Sequence, residues 1–297
     1  MTSIVSQLSE VARGVAASTR SAVVRVEGGW RPASGVVVAD GMILTNAHNV
    51  HAEAATVTFA DGRTVEASVA GVDADGDLAV LRADTAGVAP LPFAPDGSAT
   101  VGDVVFAVAA ANGGTRLTLG LVSGVARAFR GPRGRRISGS LEHTAPMAPG
   151  SSGSALVDGE GRLLGLNTNR VGGGFYLAIP ADAALQARVA ALGRGESPDR
   201  PRLGVGLAPA GVSRRMRRAV GLPERDGALV RDVAAGSPAE TAGITPGDLI
   251  VSAGGSPITD ADDLADALAG AAGSGSIELV VVRGTDERTV TVTLTKE

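Results

Sequence analysis

Residues 148–168 read APGSSGSALVDGEGRLLGLNT, and this stretch is the most informative part of the 297-residue chain. Gly150 and Gly153 flank Ser152, so the backbone can turn sharply around the serine hydroxyl. A short apolar run lies on each side of the Asp-Gly-Glu-Gly segment at 158–161, and such runs are typical of strands joined by tight turns. The stretch therefore predicts a serine presented on a turn in a β-rich domain, although a Gly-x-Ser-Gly turn taken alone is usually only a turn.

Short Val-rich runs broken by turn residues extend from about residue 21 to residue 180. The Asp-Gly pairs at 40–41 and 61–62 lie between apolar runs, which is a strong hairpin signal. Regularly spaced short strands are typical of an antiparallel sandwich or barrel. A helix over ADAALQARVAALG is expected to end at Gly193. A second helix is predicted over residues 1–20, with its apolar face formed by Ile4, Leu8, Val11 and Val15.

The chain changes character at a polar linker, 196–201, within GRGESPDRPR. Beyond it, the pattern predicts the strands LGVGLAP and GALVRDV with a short helix from Ser213 to Gly221 between them. A capped helix that starts at Ser237 and ends by Gly243, a helix over TDADDLADALAG and a terminal hairpin follow. We therefore predict one domain over 1–195 and a different, smaller domain over 202–297.

Composition argues against several classes of function. A net charge of −4 is unlike the basic excess of nucleic-acid-binding domains. The chain has no cysteine and three histidines, so we expect no disulfide, no metal and no cofactor. No run of about 18 apolar residues occurs, so no transmembrane helix is expected. The N-terminal residues lack a secretory pattern, which predicts a cytoplasmic protein as encoded, or an exported, periplasmic one if a leader was removed.

Three segments contain the residue types needed to attack an amide, in the order LTNAHNV, DADGDLAVL and APGSSGSAL. The hydroxyl of Ser152 would need an imidazole, here His48, to remove its proton. The imidazole needs a carboxylate such as Asp77 to select its tautomer and stabilise its protonated form. Amides of Gly150 and Ser152 could then point at the developing oxyanion.

Spacing alone does not separate these residues from their neighbours. Asp73 and Asp75 are alternatives to Asp77, and we interpret both as solvated turn residues. Ser151 and Ser154 are competing hydroxyls beside Ser152.

The three segments together resemble the HtrA/Deg family of chymotrypsin-fold serine proteases, and the similarity extends over most of the chain. SGVVVADGMILTNAH is similar to the hairpin that leads to the family's catalytic histidine, GDLAVL to its aspartate segment and FYLAIP to its last strand. The resemblance implies a mainly β protein, with a chymotrypsin-like double β-barrel followed by a PDZ domain. It also implies a catalytic triad of His48, Asp77 and Ser152.

The nucleophile loop departs from the family pattern. Ser151 stands where the family usually has Asn, Ser154 where it has a second Gly, and Ala155 where it has Pro. Because residue 151 is not an aspartate, the salt bridge by which trypsin-type zymogens dock a freed N-terminus cannot form. Any regulated activation is expected to come from loop rearrangement instead.

By the same resemblance, the specificity pocket is lined by Pro146 and Met147 before the nucleophile and by Leu166 and Thr168 after it. No carboxylate occurs in these segments, so a small aliphatic side chain is expected to fit better than Arg or Lys. A basic run precedes the nucleophile and favours either a regulatory surface for an anionic partner or a solvated mobile loop. It consists of Arg127, Arg130, Arg133, Arg135 and Arg136.

Arg202–Val205 resembles the carboxylate-binding loop of a PDZ domain, and GSPAETAGITPGDLIVSAGG its most recognisable stretch. Amides of Leu203, Gly204 and Val205 would capture a peptide C-terminus while the peptide adds as a strand. The structural alternative is a plain edge strand of a small domain. The resemblance further implies unfolded or misfolded polypeptides as partners and a homotrimer, although the aromatic N-terminal contacts expected of that trimer are missing here.

The residues by themselves support amide or ester hydrolysis. The resemblance narrows this to an ATP-independent serine endopeptidase acting on unfolded or damaged proteins. The alternative is a non-proteolytic PDZ chaperone or scaffold with a latent protease domain, which Ser151 and Ser154 favour and the complete triad argues against. An esterase would use the same residues.

Overall fold

The computed structural model describes residues 3–29, 31–111, 114–130, 136–196, 201–209, 212–271 and 273–294. The chain divides into two compact units, Met1–Pro198 and Asp199–Glu297. Each unit has its own buried apolar core, so each is described separately.

Two closed six-stranded barrels form the first unit, and neighbouring strands are antiparallel. The strands of the first barrel, in the order β1-β2-β3-β6-β5-β4, are β1 Val23–Glu27, β2 Ala33–Ala39, β3 Met42–Thr45, β4 Ala54–Thr58, β5 Thr64–Asp73 and β6 Leu78–Arg82. Those of the second, in the order β10-β11-β12-β9-β8-β7, are β7 Val104–Ala111, β8 Gly114–Arg130, β9 Arg136–His143, β10 Ala155–Val157, β11 Leu163–Gly172 and β12 Phe175–Pro180. The predicted mainly β, chymotrypsin-like double barrel is confirmed.

The turns of the first barrel follow from local sequence. Both predicted Asp-Gly hairpins are present, with Gly41 at φ +68° between β2 and β3 and Gly62 at φ +89° between β4 and β5. Glycine adopts this left-handed region without the steric cost that a Cβ would bring. A 3₁₀ turn at Ala47–Asn49 follows β3 directly and contains His48.

Among the described residues of the first unit, two α-helices accompany the barrels. Asp182 caps α2, Ala183–Gly193, by accepting a hydrogen bond from the amide of Leu185, and the helix packs three apolar residues into the core. The other helix, α1, spans Ile4–Thr19. Its predicted apolar face is buried only at Val15, since Ile4, Leu8 and Val11 are exposed.

Within its described residues, the second unit is a sheet of six strands with three helices. The strands are β13 Val205–Leu207, β14 Ala228–Val233, β15 Leu249–Ala253, β16 Ser256–Pro257, β17 Ser276–Arg283 and β18 Asp286–Thr293. The helices are α3 Val212–Ala219, α4 Pro238–Thr241 and α5 Ala261–Gly270. The sheet order is β13-β14-β15-β17-β18, with β16 beside β15, so β13 is an edge strand. None of the helices in the described ranges has the length and hydrophobicity needed to cross a membrane.

Candidate active site

His48 and Asp77 are brought together by the first barrel. His48 lies in the turn after β3, Asp77 directly precedes β6, and β3 pairs with β6. The Nδ1 atom of His48 is 2.8 Å from Oδ1 and 3.0 Å from Oδ2 of Asp77. A carboxylate at this distance accepts a hydrogen bond from Nδ1–H, which keeps the proton on Nδ1 and leaves Nε2 free to act as a base.

The carboxylate of Asp77 is buried, and both of its oxygens accept hydrogen bonds. Its residue is 1% exposed. Besides the imidazole, it accepts hydrogen bonds from the backbone amide of His48 at 3.2 Å and from the hydroxyl of Thr168 at 2.6 Å. These bonds compensate for the cost of burying a charge. The backbone of Asp77 has φ +55°, a left-handed conformation that aspartate tolerates better than most residues.

The alternative carboxylates have other partners. The interpretation of Asp73 as a solvated residue is wrong, since it is 2% exposed. It accepts a hydrogen bond from the amide of Gly76 and lies 3.5 Å from Arg188 of α2, and these contacts compensate for its burial. Asp75 is half-buried. Asp73 therefore stabilises the turn that presents Asp77. Its contact with Arg188 joins residues far apart in the chain, so the local sequence pattern does not predict it.

Ser152 lies in the loop before β10, between two glycines with positive φ. Gly150 has φ +90° and Gly153 has φ +81°. A Cβ on Gly153 would lie 2.2 Å from the carbonyl oxygen of Ser34 and 2.5 Å from Oγ1 of Thr45, so only glycine fits there. The Oγ of Ser152 donates to the carbonyl oxygen of Thr168 at 3.3 Å. Within the described residues it makes no hydrogen bond to His48.

The carbonyl groups of the nucleophile loop are held by the first barrel. The Ser34 hydroxyl donates to the carbonyl of Gly150 at 2.9 Å. The Ser34 amide and the Asn49 side chain both donate to the carbonyl of Ser152, at 2.9 and 3.1 Å. The amides of Gly150 and Ser152 have no acceptor in the part of the chain that the structure describes. Unpaired amides beside a serine hydroxyl are what an oxyanion hole requires.

His48 and Ser152 line one open cleft of about 450 Å³. Of the four residues predicted for the specificity pocket, Met147 and Thr168 also line this cleft. Leu166 is fully buried in the core, and Pro146 is exposed outside the cleft lining, so the structure does not bring these two to the cleft. The other side chains of the cleft belong to Arg31, Ala148, Pro149, Asn169 and Arg170.

The unusual serines of the loop point inwards. Ser151 is 4% exposed and Ser154 is fully buried. The side-chain amide of Asn167 donates to Oγ of Ser154 at 2.9 Å and to the carbonyl of Ala155 at 3.2 Å. The backbone carbonyl of Asn167 accepts a hydrogen bond from the Gly153 amide at 2.8 Å. Ser154 is therefore accommodated by a buried partner, and neither serine is presented to the cleft as Ser152 is.

The side chain of Asn167 is also hydrogen-bonded to a buried histidine, His143. Its Oδ1 lies 2.9 Å from Nε2 of His143, whose ring stacks on Tyr176 at 5.8 Å between centroids. Since the Asn167 amide group is committed to the Ala155 carbonyl, Oδ1 is the acceptor and His143 carries its proton on Nε2. Burial lowers the pKa of His143 to about 4, although the hydrogen bond that His143 donates to Asn167 acts in the opposite direction.

The predicted basic loop is in part a strand hairpin. Arg127 lies within β8, 3.6 Å from Glu142, and Arg130 and Arg136 are the ends of β8 and β9. Arg133 and Arg135 fall outside the described residues.

The second unit presents the predicted carboxylate loop at its sheet edge. Gly204 has φ +75°, and a Cβ there would lie 2.3 Å from Cβ of Ser237. The carbonyls of Leu203 and Gly204 accept hydrogen bonds from the amides of Ala239 and Ala234. Among the described residues, the amides of Leu203 and Gly204 donate to no acceptor, while Val205 begins β13 opposite Val233.

Three contributions were missed from sequence. Ser34 lies outside the three chemical segments, Asn49 lies inside LTNAHNV but received no role, and Thr168 was assigned to the specificity pocket. All three nevertheless support the site. Each acts through a contact across roughly a hundred residues, and nothing in the local pattern around these polar residues signals such a contact. Ser34 and Asn49 do lie within recognisable segments, SGVVV and LTNAHNV, which is the only sequence signal available.

Comparison with known proteins identifies both units. The sequence profile of the trypsin-like peptidase domain matches residues 33–166, and that of the PDZ domain matches residues 229–283. The chain is 36% identical over 269 residues to the putative serine protease HhoA of Synechocystis sp., covering 85% of this chain and 67% of the relative. It is 31% identical to a probable periplasmic serine endoprotease, DegP-like, of Halomonas elongata, covering 88% of this chain and 56% of the relative.

The fold also matches a solved structure, the HtrA-type protease AlgW with a decapeptide. The TM-score is 0.78 over 96% of this chain and 98% of that chain, at 23% sequence identity, and this likeness concerns the fold alone. The predicted fold class, a double β-barrel followed by a PDZ domain, is confirmed by these matches. The chain spans just over half to two thirds of the length of the two curated relatives.

Proposed function

Since the chain belongs to the HtrA family of trypsin-like serine proteases, we propose that it cleaves unfolded or damaged polypeptides with Ser152, His48 and Asp77. The observation that supports this most directly is the 2.8 Å contact between His48 Nδ1 and a buried Asp77, in a cleft that also contains Ser152.

The reaction assigns one step to each group. Ser152 Oγ attacks the substrate carbonyl carbon while His48 Nε2 takes the hydroxyl proton, and Asp77 stabilises the imidazolium. The oxyanion is bound by the amides of Gly150 and Ser152. The imidazolium then protonates the leaving amine, and water attacks the acyl-enzyme by the same route. Before the first step, the Ser152 hydroxyl must turn from the Thr168 carbonyl towards the imidazole.

A peptide-binding role for the second unit completes the proposal. An edge strand can add an extended peptide, and two adjacent unpaired amides can bind its terminal carboxylate. Leu203 and Gly204 supply those amides next to β13. We assign this unit the capture of peptide C-termini, which would present polypeptides to the protease or report them to it.

Reaction with a fluorophosphonate probe tests the catalytic proposal. The wild-type chain should be labelled, with the modified residue mapped to Ser152 by mass spectrometry, because only an activated serine hydroxyl reacts. Ser152→Ala should abolish labelling and casein cleavage, and His48→Ala should slow labelling by about 1000-fold or more. Ser151→Ala serves as the matched control and should still be labelled.

One observation favours a second candidate, a PDZ chaperone or scaffold with a latent protease domain. The Ser152 hydroxyl points at the Thr168 carbonyl and not at His48. If the wild-type chain takes up no probe, this candidate replaces the endopeptidase. Labelling without casein cleavage would instead indicate an esterase.

A further inference from the structure

Two arginines lie in the cleft that contains His48 and Ser152. Arg31 comes just before β2 and Arg170 lies on β11, and both are exposed residues that line the cleft. No Asp or Glu of the described residues lines it. Both permanently charged side chains that line the cleft are therefore positive, in contrast to the chain as a whole, whose net charge is −4.

The Arg170 guanidinium is held in place across the cleft. Its Nη2 donates to the carbonyl of Met147 at 2.9 Å, and its central carbon lies 5.4 Å from the ring centroid of Tyr176. Met147 belongs to the segment before the nucleophile, and Arg170 to the strand after it, so the side chain joins the two segments. A guanidinium has five N–H donors, and this contact uses one of its two terminal nitrogens, which leaves donors for a ligand.

Neither arginine forms an ion pair with a carboxylate in the ranges that the structure describes. Elsewhere in the first unit, arginines pair with carboxylates, as in Arg162–Asp158 and Arg194–Glu196. Arg31 and Arg170 have no such partner among the described residues. Unpaired charges of one sign in a cleft attract a ligand of the opposite sign, and a guanidinium binds a carboxylate through two parallel hydrogen bonds.

We propose that this cleft selects polypeptide segments that carry Asp or Glu close to the bond being cleaved. Arg170 is the residue that binds the substrate carboxylate, and Arg31 adds to the attraction. This inference rests on the proposed function, because it assumes that the substrate chain occupies the cleft beside Ser152. It adds a charged subsite to the small aliphatic preference expected from sequence.

Matched peptides test the proposal. A cleavage site is taken from the products of a denatured protein, and one position at a time on either side of the bond is set to Glu, Gln or Lys. The peptides have amidated C-termini so that the PDZ unit does not capture them. At one position at least, kcat/KM for Glu should exceed that for Gln by about tenfold, the value expected for a charge-assisted hydrogen bond, and Lys should be poorer still. Salt at 0.5 M should reduce the difference.

Charge reversal identifies the residue. Arg170→Glu should change the preference from Glu to Lys, and Arg31→Glu should weaken the preference for Glu. Arg13→Glu on α1 makes the same charge change outside the cleft and should leave the ranking as in the wild type. The ratios between peptides are compared within each variant, so a change in overall activity does not affect the result.

The outcomes separate this proposal from the one on which it rests. Equal rates for Glu, Gln and Lys at every position, in a chain that reacts with fluorophosphonate, would overturn the acidic subsite and leave the protease assignment intact. A Glu preference that survives in Arg170→Glu would overturn the role of Arg170. If the chain does not react with the probe, the binding affinity of the Ser152→Ala variant for the same peptides tests the acidic subsite instead. Equal affinities for the Glu and Lys peptides would then refute this subsite.

Discussion

Thr168 joins the two barrels of the candidate site at the scale of a single residue. Its hydroxyl donates to Asp77 at 2.6 Å, and its carbonyl accepts the hydroxyl of Ser152 at 3.3 Å. The resemblance to the family implies a place for Thr168 in the specificity pocket, and Thr168 lines the cleft. Its side chain, however, is committed to the buried carboxylate, which makes it a positioning residue for the His48–Asp77 pair.

We predict that Thr168→Val, which removes the hydroxyl and preserves the shape of the side chain, lowers kcat/KM by about 10- to 100-fold. A hydrogen bond to a charged group contributes about 1.5–3 kcal/mol, and Asp77 would lose that support. Cleavage of a denatured protein and the rate of fluorophosphonate labelling measure the effect. Thr168→Ser restores the hydroxyl and should recover most of the rate. Unchanged labelling in Thr168→Val would remove Thr168 from the proposal.

At the scale of elements, a buried polar chain connects β9, β11 and the nucleophile loop. His143 at the end of β9 donates a hydrogen bond to the side chain of Asn167 on β11. The side chain of Asn167 donates to the hydroxyl of Ser154, and its backbone carbonyl accepts from the amide of Gly153. The Nδ1 atom of His143 is buried and has no hydrogen-bond partner among the described residues. This neutral imidazole is stable in the core only while it remains unprotonated.

The stability of the first unit should therefore depend on pH through His143. Its pKa is about 4 in the folded chain, against an ordinary value of about 6.5. Between these values the unfolded chain takes up a proton that the folded chain does not, so the free energy of unfolding falls as the pH falls. The full difference corresponds to about 3 kcal/mol from this one residue.

Denaturant unfolding between pH 7 and pH 4 measures this effect. His143→Gln retains a donor for Asn167 but does not titrate, so its free energy of unfolding should depend less on pH than that of the wild type. His51→Gln, at an exposed position, is the control and should follow the wild type. Parallel curves for His143→Gln and the wild type would show that His143 does not cause the dependence.

At the scale of the whole molecule, the chain combines a double barrel with a second unit that has its own core and the edge strand β13. The edge strand β13 is preceded by Gly204, whose positive φ and close contact with Ser237 leave no space for a side chain. The same unit contains Gly255, also at positive φ, where an added Cβ would meet no atom within 4 Å. The two glycines form a matched pair for testing the loop.

Peptide binding by the full chain with Ser152→Ala tests the PDZ assignment. A peptide with a free C-terminus should bind at least about tenfold more tightly than the same peptide with an amidated C-terminus, because the terminal carboxylate would lose its charge-assisted bonds. Gly204→Ala should remove this difference, since the loop must shift, whereas Gly255→Ala should preserve it. Equal affinity for the free and amidated peptides in the Ser152→Ala chain would refute carboxylate capture at Leu203 and Gly204.

Much of the local structure can be predicted from the sequence. The Asp-Gly hairpins and the helix ends depend on interactions within a few residues, which local residue preferences determine. The resemblance of the segments around His48, Asp77 and Ser152 to a protease family added the double barrel and the PDZ domain, both confirmed by the fold and the comparisons.

The tertiary structure decided which polar groups meet. It buried Asp73 beside Arg188, bound the loop carbonyls to Ser34 and Asn49, and placed Arg170 across the cleft. These contacts join residues far apart in the chain, and their energies depend on burial and on distances of about 3 Å, neither of which a linear sequence specifies. Local order follows from neighbouring residues, whereas the chemistry of the cleft depends on how closed barrels bring distant ones together.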